Sequence, residues 1–391
     1  MSNDSFTTTT SQSWFSRIGS AISGILFGVV LFLGSFLLLA WNEGRAIHRA
    51  KTLDIGAKQV ISISPDAPVA ESDGKLVHLT GTAEAPEDVT DEVFGITASA
   101  LKLRRDVEMY QWKEESKSET KKKLGGGEET TTTYTYSKAW SSSLIDSSKF
   151  QKPDGHTNPE SLPVESETFT AEGIHVGKFE LPESLTGLIS NFVSRPVTKA
   201  EAQAAAKAHS TDMEATTGGL LYVGANPQQP ALGDLRITFQ MAPSGPVSII
   251  AGQIGETFEP FTVKNLGTID LLKSGTLSAE AMFQQEKEGN AMLTWILRLV
   301  GFLMMLFGLL MIANIFSVLA SVVPFFGDIV GAGTGLLAFA IALPLTLVTI
   351  ALAWVAYRPL IGIPLLLAAA GSVIFGVLKL AKSRKKAPAA A

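Results

Sequence analysis

The side chains best suited to chemistry in this sequence are its five histidines, His48, His78, His156, His175 and His209. No two of them stand four residues apart and no HExxH motif occurs, so the spacing of helical zinc hydrolases is missing. His156 lies in the segment GHTNP, in which Asn158 and Pro159 predict a turn. No GxSxG motif or paired base accompanies it, and we therefore assign His156 no catalytic role.

The sequence offers no pattern for metal or cofactor chemistry either. The chain has no cysteine, which excludes disulfides, thiol nucleophiles and thiolate metal sites. The glycines at 331–335 are spaced like those of a phosphate loop, but no Lys-Ser or Lys-Thr pair follows them and they lie in an apolar run. We predict no catalytic, cofactor-binding or metal site, and interpret these glycines as helix-packing positions.

One basic cluster stands on a predicted strand, at Lys102, Arg104 and Arg105. It could bind lipid phosphates or an acidic partner. Alternatively, it pairs with nearby acids such as Asp106 and Glu108. The acidic surroundings favour the second interpretation, because counter-charges are abundant there.

Charged residues are distributed unevenly along the 391 residues of the chain. Residues 42–290 hold 24 of the 32 Lys and Arg and 35 of the 37 Asp and Glu, a net charge of 24 − 35 = −11. An acidic domain of this kind lacks the basic surface that nucleic acid requires. The flanking segments are long apolar runs, which indicate an integral membrane protein in contact with lipid.

Four of these runs are long enough to cross a bilayer. The predicted segments are a polar N-terminal tail (1–17), a first span (18–41), a β-rich middle domain (42–290), three further spans (295–323, 329–356 and 360–380) and a basic tail (381–391). The first run is longer than a signal-peptide core and no A-x-A site follows it, so we predict an uncleaved anchor. Asp328 is the predicted N-cap of the third span, and Pro344 and Pro364 predict kinks.

Small residues recur every four positions in the first span, at Ser20, Gly24 and Gly28. This spacing predicts a face for close helix packing. The predicted spans contain no mid-membrane carboxylate or histidine, which disfavours an ion pump or a proton-coupled carrier.

The basic tail predicts the orientation of the protein. An even number of spans puts both termini on one side, and the Lys and Arg cluster after residue 380 predicts that this side is the cytoplasm. Arg45, Arg49 and Lys51 beyond the first span argue the other way. We give the tail more weight because it is a dense cluster at a helix end, and expect the middle domain on the extracytoplasmic side.

The middle domain alternates strand-like runs with turn signals, which predicts an α+β protein with four transmembrane helices and a β-rich domain between the first two. The runs 101–112 and 130–141 predict the arms of a long hairpin, and the charged residues 114–129 predict a disordered tip. A helix is predicted over 183–192, and a capping box from Thr198 to Glu201 predicts the start of another. A last helix from about Ser278 is predicted to continue into the second span.

Several segments together resemble the LUMA family, also called the transmembrane protein 43 family. The matching segments are NEGRA, KLVHLTG, KLRRDVEMYQW, GHTNP, VES, GDLRITF, LSAEAMFQQE, WILR and YRPL, in an order that runs from the first span to the fourth. Their positions of unknown role are Asn42, Glu43, Gly44, Arg45, Lys102, Arg104, Arg105, Glu108, Tyr110, Trp112, His156, Asn158, Pro159, Gly233, Asp234, Arg236, Trp295, Arg298, Tyr357, Arg358 and Pro359.

The resemblance implies four spans, a large lumenal domain and self-association, with no established enzymatic reaction. In animals it implies residence in the endoplasmic reticulum and inner nuclear membrane, where the family is linked to nuclear-envelope complexes through lamins and emerin. The alanine-rich helix and the lack of cysteine indicate a bacterial member, for which the inner membrane is expected.

Three functions remain open at this point. The first is a non-enzymatic membrane scaffold that forms homo-oligomers and presents its soluble domain to other membrane or envelope proteins. The second is a channel or a transport accessory subunit, which pore-lining polar groups would favour, although the spans offer only Asn314, Ser and Thr. The third is a membrane-surface enzyme centred on the His156 turn.

Overall fold

A computed structural model describes residues 4–66, 68, 70–357, 359, 360, 363, 364 and 367 of the chain. Within these residues the helices are α1 (Trp14–Gln59), α2 (Glu183–Thr186), α3 (Lys199–His209), α4 (Ala279–Ala320) and α5 (Pro324–Tyr357). Apolar residues fill the inner parts of α1, α4 and α5, and these three helices are long and apolar enough to cross a membrane. They contain three of the four predicted spans. The fourth, 360–380, lies almost wholly outside the described residues.

The helix ends differ from the prediction in one place. The third membrane helix begins at Pro324 rather than after Asp328, so Asp328 lies inside α5 and is not its N-cap. Proline is favoured in the first turn of a helix, where its missing N–H has no intrahelical partner to lose. The predicted continuation from residue 278 into the second span is confirmed by α4, which is unbroken over 42 residues.

Nineteen strands lie in the described residues, most of them between α1 and α4. They are β1 (Ser5–Gln12), β2 (Ile61–Ser62), β3 (Leu76–Glu84), β4 (Val89–Asp91), β5 (Ile96–Ala98), β6 (Lys102–Lys122), β7 (Glu128–Ser141), β8 (Glu167–Thr170), β9 (His175–Val176), β10 (Phe179–Glu180), β11 (Val193–Ser194), β12 (Met213–Ala215), β13 (Leu221–Val223), β14 (Leu235–Ala242), β15 (Gly245–Ile254), β16 (Thr257–Glu259), β17 (Phe261–Val263), β18 (Gly267–Ile269) and β19 (Leu271–Ser274).

These strands form two larger sheets. In the first the order is β1-β7-β6-β14-β13-β12, with β8 on β6 and β11 on β14. In the second it is β10-β9-β3-β15-β16, with β2 on β3 and β19 on β15. The long antiparallel register of β6 with β14, from Leu235 opposite Met109 to Ala242 opposite Lys102, fixes which side chains of β6 face the core.

The chain divides into two compact units. The β-rich unit comprises the described parts of Met1–Thr9, Thr52–Glu119 and Thr131–Gln285, and the span unit comprises those of Thr10–Lys51, Thr120–Thr130 and Glu286–Ala391. The core of the β-rich unit is made of inward-facing strand residues such as Leu79, Leu103 and Phe239. In the span unit Leu39, Met305 and Ala342 form a buried cluster between α1, α4 and α5.

Two local predictions for the middle domain are wrong. The charged segment 114–129 is not a disordered tip, because β6 continues to Lys122 and β7 begins at Glu128. Hydroxyl pairs across the hairpin, Ser118 with Thr132 and Thr120 with Thr130, extend the ladder. The helix predicted over 183–192 is only the four-residue α2. The capping box at Thr198 is confirmed at the start of α3.

Candidate functional site

Three helices of the span unit place polar side chains together at the ends of their apolar runs. Residues 42–45 follow the apolar run of α1, residues 290–298 precede that of α4, and Trp354 lies in the last turn of α5. We call this group the span-end cluster. Its members are Asn42, Glu43, Arg45, Asn290, Thr294, Arg298 and Trp354.

The centre of the span-end cluster is an ion pair between Glu43 and Arg298. Arg298 donates from Nε to Oε1 of Glu43 over 2.7 Å and from Nη2 to Oε2 over 2.9 Å, a two-pronged contact. Trp354 donates its indole N–H to Oε2 of Glu43 over 2.6 Å. The Glu43 side chain is only 2% exposed. Protein donors therefore engage both carboxylate oxygens and stabilise the charge.

Aromatic rings cover the positive side of this pair. The guanidinium carbon of Arg298 lies 4.7 Å from the ring centre of Trp295 and 5.7 Å from that of Trp354. Both distances suit a cation–π interaction. Trp295 is itself exposed at the surface of α4, as expected for an indole at a membrane interface.

A second layer of hydrogen bonds joins α1 to α4 beside the ion pair. Arg45 donates to Oδ1 of Asn290 over 3.0 Å and to Oγ1 of Thr294 over 3.1 Å. Asn42 donates to the Thr294 carbonyl over 3.1 Å, and Asn290 donates to the Ala46 carbonyl over 3.0 Å. These bonds satisfy polar groups that apolar surroundings would otherwise leave unsolvated.

A small cavity of about 210 Å³ lies beside the cluster, with Glu43, Thr294 and Arg298 in its wall. The only hydroxyl among its lining residues is that of Thr294, which donates to the Asn290 carbonyl over 2.6 Å. The charged side chains among the described lining residues, Glu43 and Arg298, are paired with each other.

The remaining predicted positions near the spans have identifiable contacts. A Cβ at Gly44 would lie 2.7 Å from the ring of Tyr357, so this ring packs directly on the glycine. Pro359 is exposed, and Arg358 lies outside the described residues. A Cβ at Gly28 would lie 2.8 Å from the Gly308 carbonyl oxygen, which marks a close approach of α1 and α4.

The other two small positions of α1 pack less tightly. The nearest atom to a Cβ at Gly24 is a methyl of Met311 at 4.0 Å. Ser20 donates to the Ser16 carbonyl of its own helix over 3.1 Å. The close contact of the predicted packing face is therefore made at Gly28.

In the β-rich unit His156 is buried and fully engaged. Its Nδ1 lies 2.9 Å from the Lys152 carbonyl oxygen, and its Nε2 lies 2.8 Å from Oδ2 of Asp4. Each ring nitrogen therefore has a hydrogen-bonding partner. The ring stacks on Tyr136 with centroids 3.9 Å apart and meets the edge of Trp112. Neither nitrogen is free to act as a general base.

The GHTNP turn also closes the edge of β6. Asn158 accepts from the backbone N–H of Trp112 over 2.6 Å and donates to the Trp112 carbonyl over 2.9 Å, so its amide replaces a neighbouring strand. Pro159 stands near Gly233, where a Cβ would come within 3.5 Å of it. Gly233 has a φ of +91°, which favours glycine.

The polar residues of β14 and its neighbours form a local network. Arg236 donates to Glu108 on β6 and stacks over Trp140, which itself packs on Tyr110. Asp234 accepts from the hydroxyl of Tyr222. Burial and this carboxylate together raise the pKa of Tyr222 above its usual value.

The basic cluster of β6 faces inward or pairs with acids. Arg105 donates to Asp91 over 2.7 Å with both side chains buried, and Arg104 pairs with Asp106 over 3.1 Å. Lys102 points to the carbonyl oxygens of Gly187 and Ile189, and burial lowers its pKa. Lys102 and Arg105 are therefore not positioned to bind lipid phosphates. This agrees with the interpretation of local pairing, except that Lys102 contacts backbone rather than acids.

Sequence reasoning missed three members of the span-end cluster, Asn290, Thr294 and Trp354. A tryptophan near the end of an apolar run is a signal for an interfacial residue, but nothing in the sequence pairs it with Glu43. Within the described residues, no three His, Cys, Asp or Glu side chains converge in a way that could hold a metal ion.

These features define a class of protein: an α+β membrane protein with a large β-rich part and three apolar helices that could span a bilayer. The chain belongs to the transmembrane protein 43 family, since the family model "Transmembrane protein 43" matches residues 109–359. It is 36% identical to transmembrane protein 43 of Homo sapiens over 366 residues, which cover 90% of this chain and 89% of that one.

Other relatives align over a similar length. The chain is 36% identical to transmembrane protein 43 of Pongo abelii over 357 residues, with 88% of this chain and 87% of that protein covered. It is 31% identical to the Drosophila melanogaster homolog over 361 residues, with 90% and 93% covered. No solved structure matches the chain.

Proposed function

We propose that this protein is a non-enzymatic multi-pass membrane scaffold that self-associates and presents its β-rich unit to protein partners. The observation that carries the proposal is that α1 and α4 continue beyond their apolar runs into the β-rich unit. The outer end of α1 and the first turns of α4 pack against each other inside the β-rich unit, where Leu53, Met282 and Phe283 are buried in one cluster. At about 1.5 Å per residue, each of these helices is far longer than a hydrocarbon core of about 30 Å.

The surplus length supports a scaffold because it leaves no flexible linker at either crossing. Gly56 of α1 contacts Phe283 of α4 and Ile269 so closely that a Cβ would come within 2.3 Å of the isoleucine. Continuous helices of this kind suit the display of a binding surface to partners.

The groups best suited to chemistry also support a structural role. Glu43 and Arg298 neutralise each other, and His156 uses both ring nitrogens in fixed hydrogen bonds. The apolar helices expose large side chains such as Leu26, Leu37 and Leu336, which suits solvation by lipid or packing against another copy.

For the orientation, we propose that the basic C-terminal tail and the Trp14 end of α1 face the cytoplasm, with the β-rich unit on the opposite side. Residues 4–9 belong to the β-rich unit and are bound there through Asp4 and His156.

Self-association is tested by crosslinking in native membranes. Two copies with different affinity tags are expressed together, and an amine-reactive crosslinker is applied before detergent is added. We expect discrete oligomers that contain both tags. A pattern of monomers alone, at crosslinker concentrations that capture a known membrane dimer in the same sample, would contradict the proposal.

A further inference from the structure

A polar cavity of about 420 Å³ lies in the span unit near the Trp14 end of α1. It is formed by α1, by α4 and by the turn of the β6–β7 hairpin, whose residues Thr120–Thr130 belong to the span unit. The lining residues that matter here are Ser20, Gly24, Lys122, Glu128, Asn314 and Ser317.

The position of these residues in the apolar runs makes the cavity unusual. Ser20 and Gly24 belong to the charge-free run 18–40, and Asn314 and Ser317 belong to the second span. Hydrocarbon cannot solvate a charged hairpin or the free edges of its strands, and polar backbone at membrane depth is tolerated where it faces protein or water. The exposed amide of Asn314 is therefore best solvated by water in this cavity, whereas Glu128 and Lys122 in its wall are paired with Arg17 and Asp328.

Several contacts hold the hairpin turn over the cavity at the Trp14 end of α1. Arg17, which is only 9% exposed, pairs with Glu128 over 2.7 Å and donates to the Gly126 carbonyl and to Oγ of Ser321. The backbone N–H of Gly125 donates to the Val322 carbonyl over 3.0 Å. Gly126, with φ of +80°, lies against the Trp14 ring, where a Cβ would come within 2.4 Å.

A second ion pair attaches the hairpin to α5. Lys122 donates to Oδ1 of Asp328 over 2.5 Å, and both side chains are partly exposed. All of these contacts are polar or involve one indole face. Contacts of this kind can be exchanged for contacts with water at low cost, unlike the buried apolar packing between α1 and α4.

We propose that this cavity is a water-filled vestibule open to small hydrated ions, and that the hairpin turn Thr120–Thr130 is its removable plug. The vestibule enters the span unit to the depth of Asn314 on α4. The plug is held by Arg17 and by Asp328. This goes beyond the scaffold function, which does not require water within the spans.

The absence of cysteine allows a direct test by single thiols. The probe is a small membrane-impermeant cation, trimethylammonium-ethyl methanethiosulfonate, applied to the full-length protein in open membrane sheets. It reacts with the thiolate, which forms in water and not in hydrocarbon. The test positions are Asn314→Cys and Ser317→Cys, and the control is Phe316→Cys, on the same helix and exposed outside the cavity.

We expect both cavity thiols to react at least about tenfold faster than the control thiol. Equal rates at all three positions would overturn the vestibule. Ser317→Cys changes only one atom, so it supplies the answer if Asn314→Cys accumulates poorly.

The plug is tested in the Ser317→Cys background. Glu128→Gln removes the partner of Arg17, and we expect a further increase of several-fold in the reaction rate, because the turn then opens more often. Glu119→Gln is the matched control, since it breaks an exposed ion pair with Lys117 further along the same hairpin. Equal rates in the two variants would show that the turn is not a plug. Neither result depends on whether the protein forms oligomers.

Discussion

The two ends of the membrane helices solve the problem of buried charge in different ways. At the span-end cluster, Glu43 is closed off by Arg298 and Trp354, and every oxygen of the carboxylate has a partner from protein. At the Trp14 end, Arg17 and Glu128 border a polar cavity large enough for many water molecules. The first end is an ion pair enclosed by protein donors beside a smaller cavity of about 210 Å³, and the second borders a polar cavity of about 420 Å³. The loss of one partner should therefore cost far more at the first end than at the second.

The largest expected effect is that of Glu43→Gln. It leaves the Arg298 guanidinium in an apolar junction without its anion, and we expect the free energy of unfolding to fall by about 3–5 kcal/mol. Chemical unfolding of the purified protein in detergent, followed by tryptophan fluorescence, measures the change. The matched control is Glu286→Gln, which breaks the half-exposed pair with Arg49 between the same two helices and should cost about 0.5–1 kcal/mol. Similar losses of stability in both variants would show that the Glu43–Arg298 pair contributes no more than the more exposed Arg49–Glu286 pair.

An intermediate effect is expected between the two ends, at Gly28. Gly28→Val places methyl groups where the Gly308 carbonyl and Met311 already lie within 3 Å of the new Cβ. Overpacking of this kind should cost about 1–3 kcal/mol. Gly19→Val is the control on the same helix, because nothing lies within 4 Å of its Cβ position. The free energy of unfolding is measured in the same way for both variants. An equal loss at the two glycines would contradict the close approach of α1 and α4 at Gly28.

A smaller effect on stability is expected for Arg17→Gln, at the Trp14 end of α1. Water can enter the cavity and solvate Glu128, so the loss should be about 1–2 kcal/mol despite the burial of Arg17. A loss of stability as large as that of Glu43→Gln would show that water does not replace Arg17 as the partner of Glu128. Arg17→Gln also removes contacts that hold the hairpin turn. Limited proteolysis should therefore cut Thr120–Thr130 sooner in this variant than in the unchanged protein.

The smallest effect concerns an ion pair outside the membrane, which serves as a reference. Arg195 lowers the pKa of Glu201 to about 2, helped by hydrogen bonds from Thr198 in the capping box. A depressed carboxyl pKa stabilises the fold above the unfolded pKa of about 4.3, and this contribution is lost as the pH falls toward 2.

Glu201→Gln should therefore cost about 1 kcal/mol at pH 7 and progressively less between about pH 4 and pH 2. Parallel denaturant titrations of the variant and the unchanged protein at several pH values measure this convergence. A difference that stays constant down to pH 2 would exclude the ionised carboxylate as its cause.

The membrane helices could be predicted from the sequence because their signal is local. Long runs without charge locate the spans in α1, α4 and α5, and the unbroken α4 agrees with the helix predicted to run from about Ser278 into the second span. The start of α5 was placed too late, because Asp328 was interpreted as a cap although Pro324 already suits the first turn.

The site could be predicted only in part, because its contacts join distant segments. The resemblance pointed to Glu43, Arg298 and Tyr357 as separate motif positions, but their convergence depends on how three helices pack. Trp354 lies 311 residues from Glu43 along the chain, and no periodicity links them. In the same way the turn at His156 was predicted, while its partner Asp4 stands 152 residues away.

The polar hairpin shows a different reason for failure. Its lysines, glutamates and glycines have the composition of a disordered loop, yet the strands continue because hydroxyl pairs and ion pairs connect them across the ladder. Composition alone does not include the stabilising contacts with Trp14 and Arg17 at the far end of the hairpin.

The central claim is that Glu43 and Arg298 act together as a buried structural ion pair that joins α1 to α4. A double-mutant cycle tests it most directly, with the free energy of unfolding measured for Glu43→Gln, Arg298→Met and the double variant. We predict that the double variant is more stable than the sum of the single losses by about 2–3 kcal/mol, because the buried charge disappears with its partner. Single losses that simply add, with a coupling below about 0.5 kcal/mol, would contradict the junction.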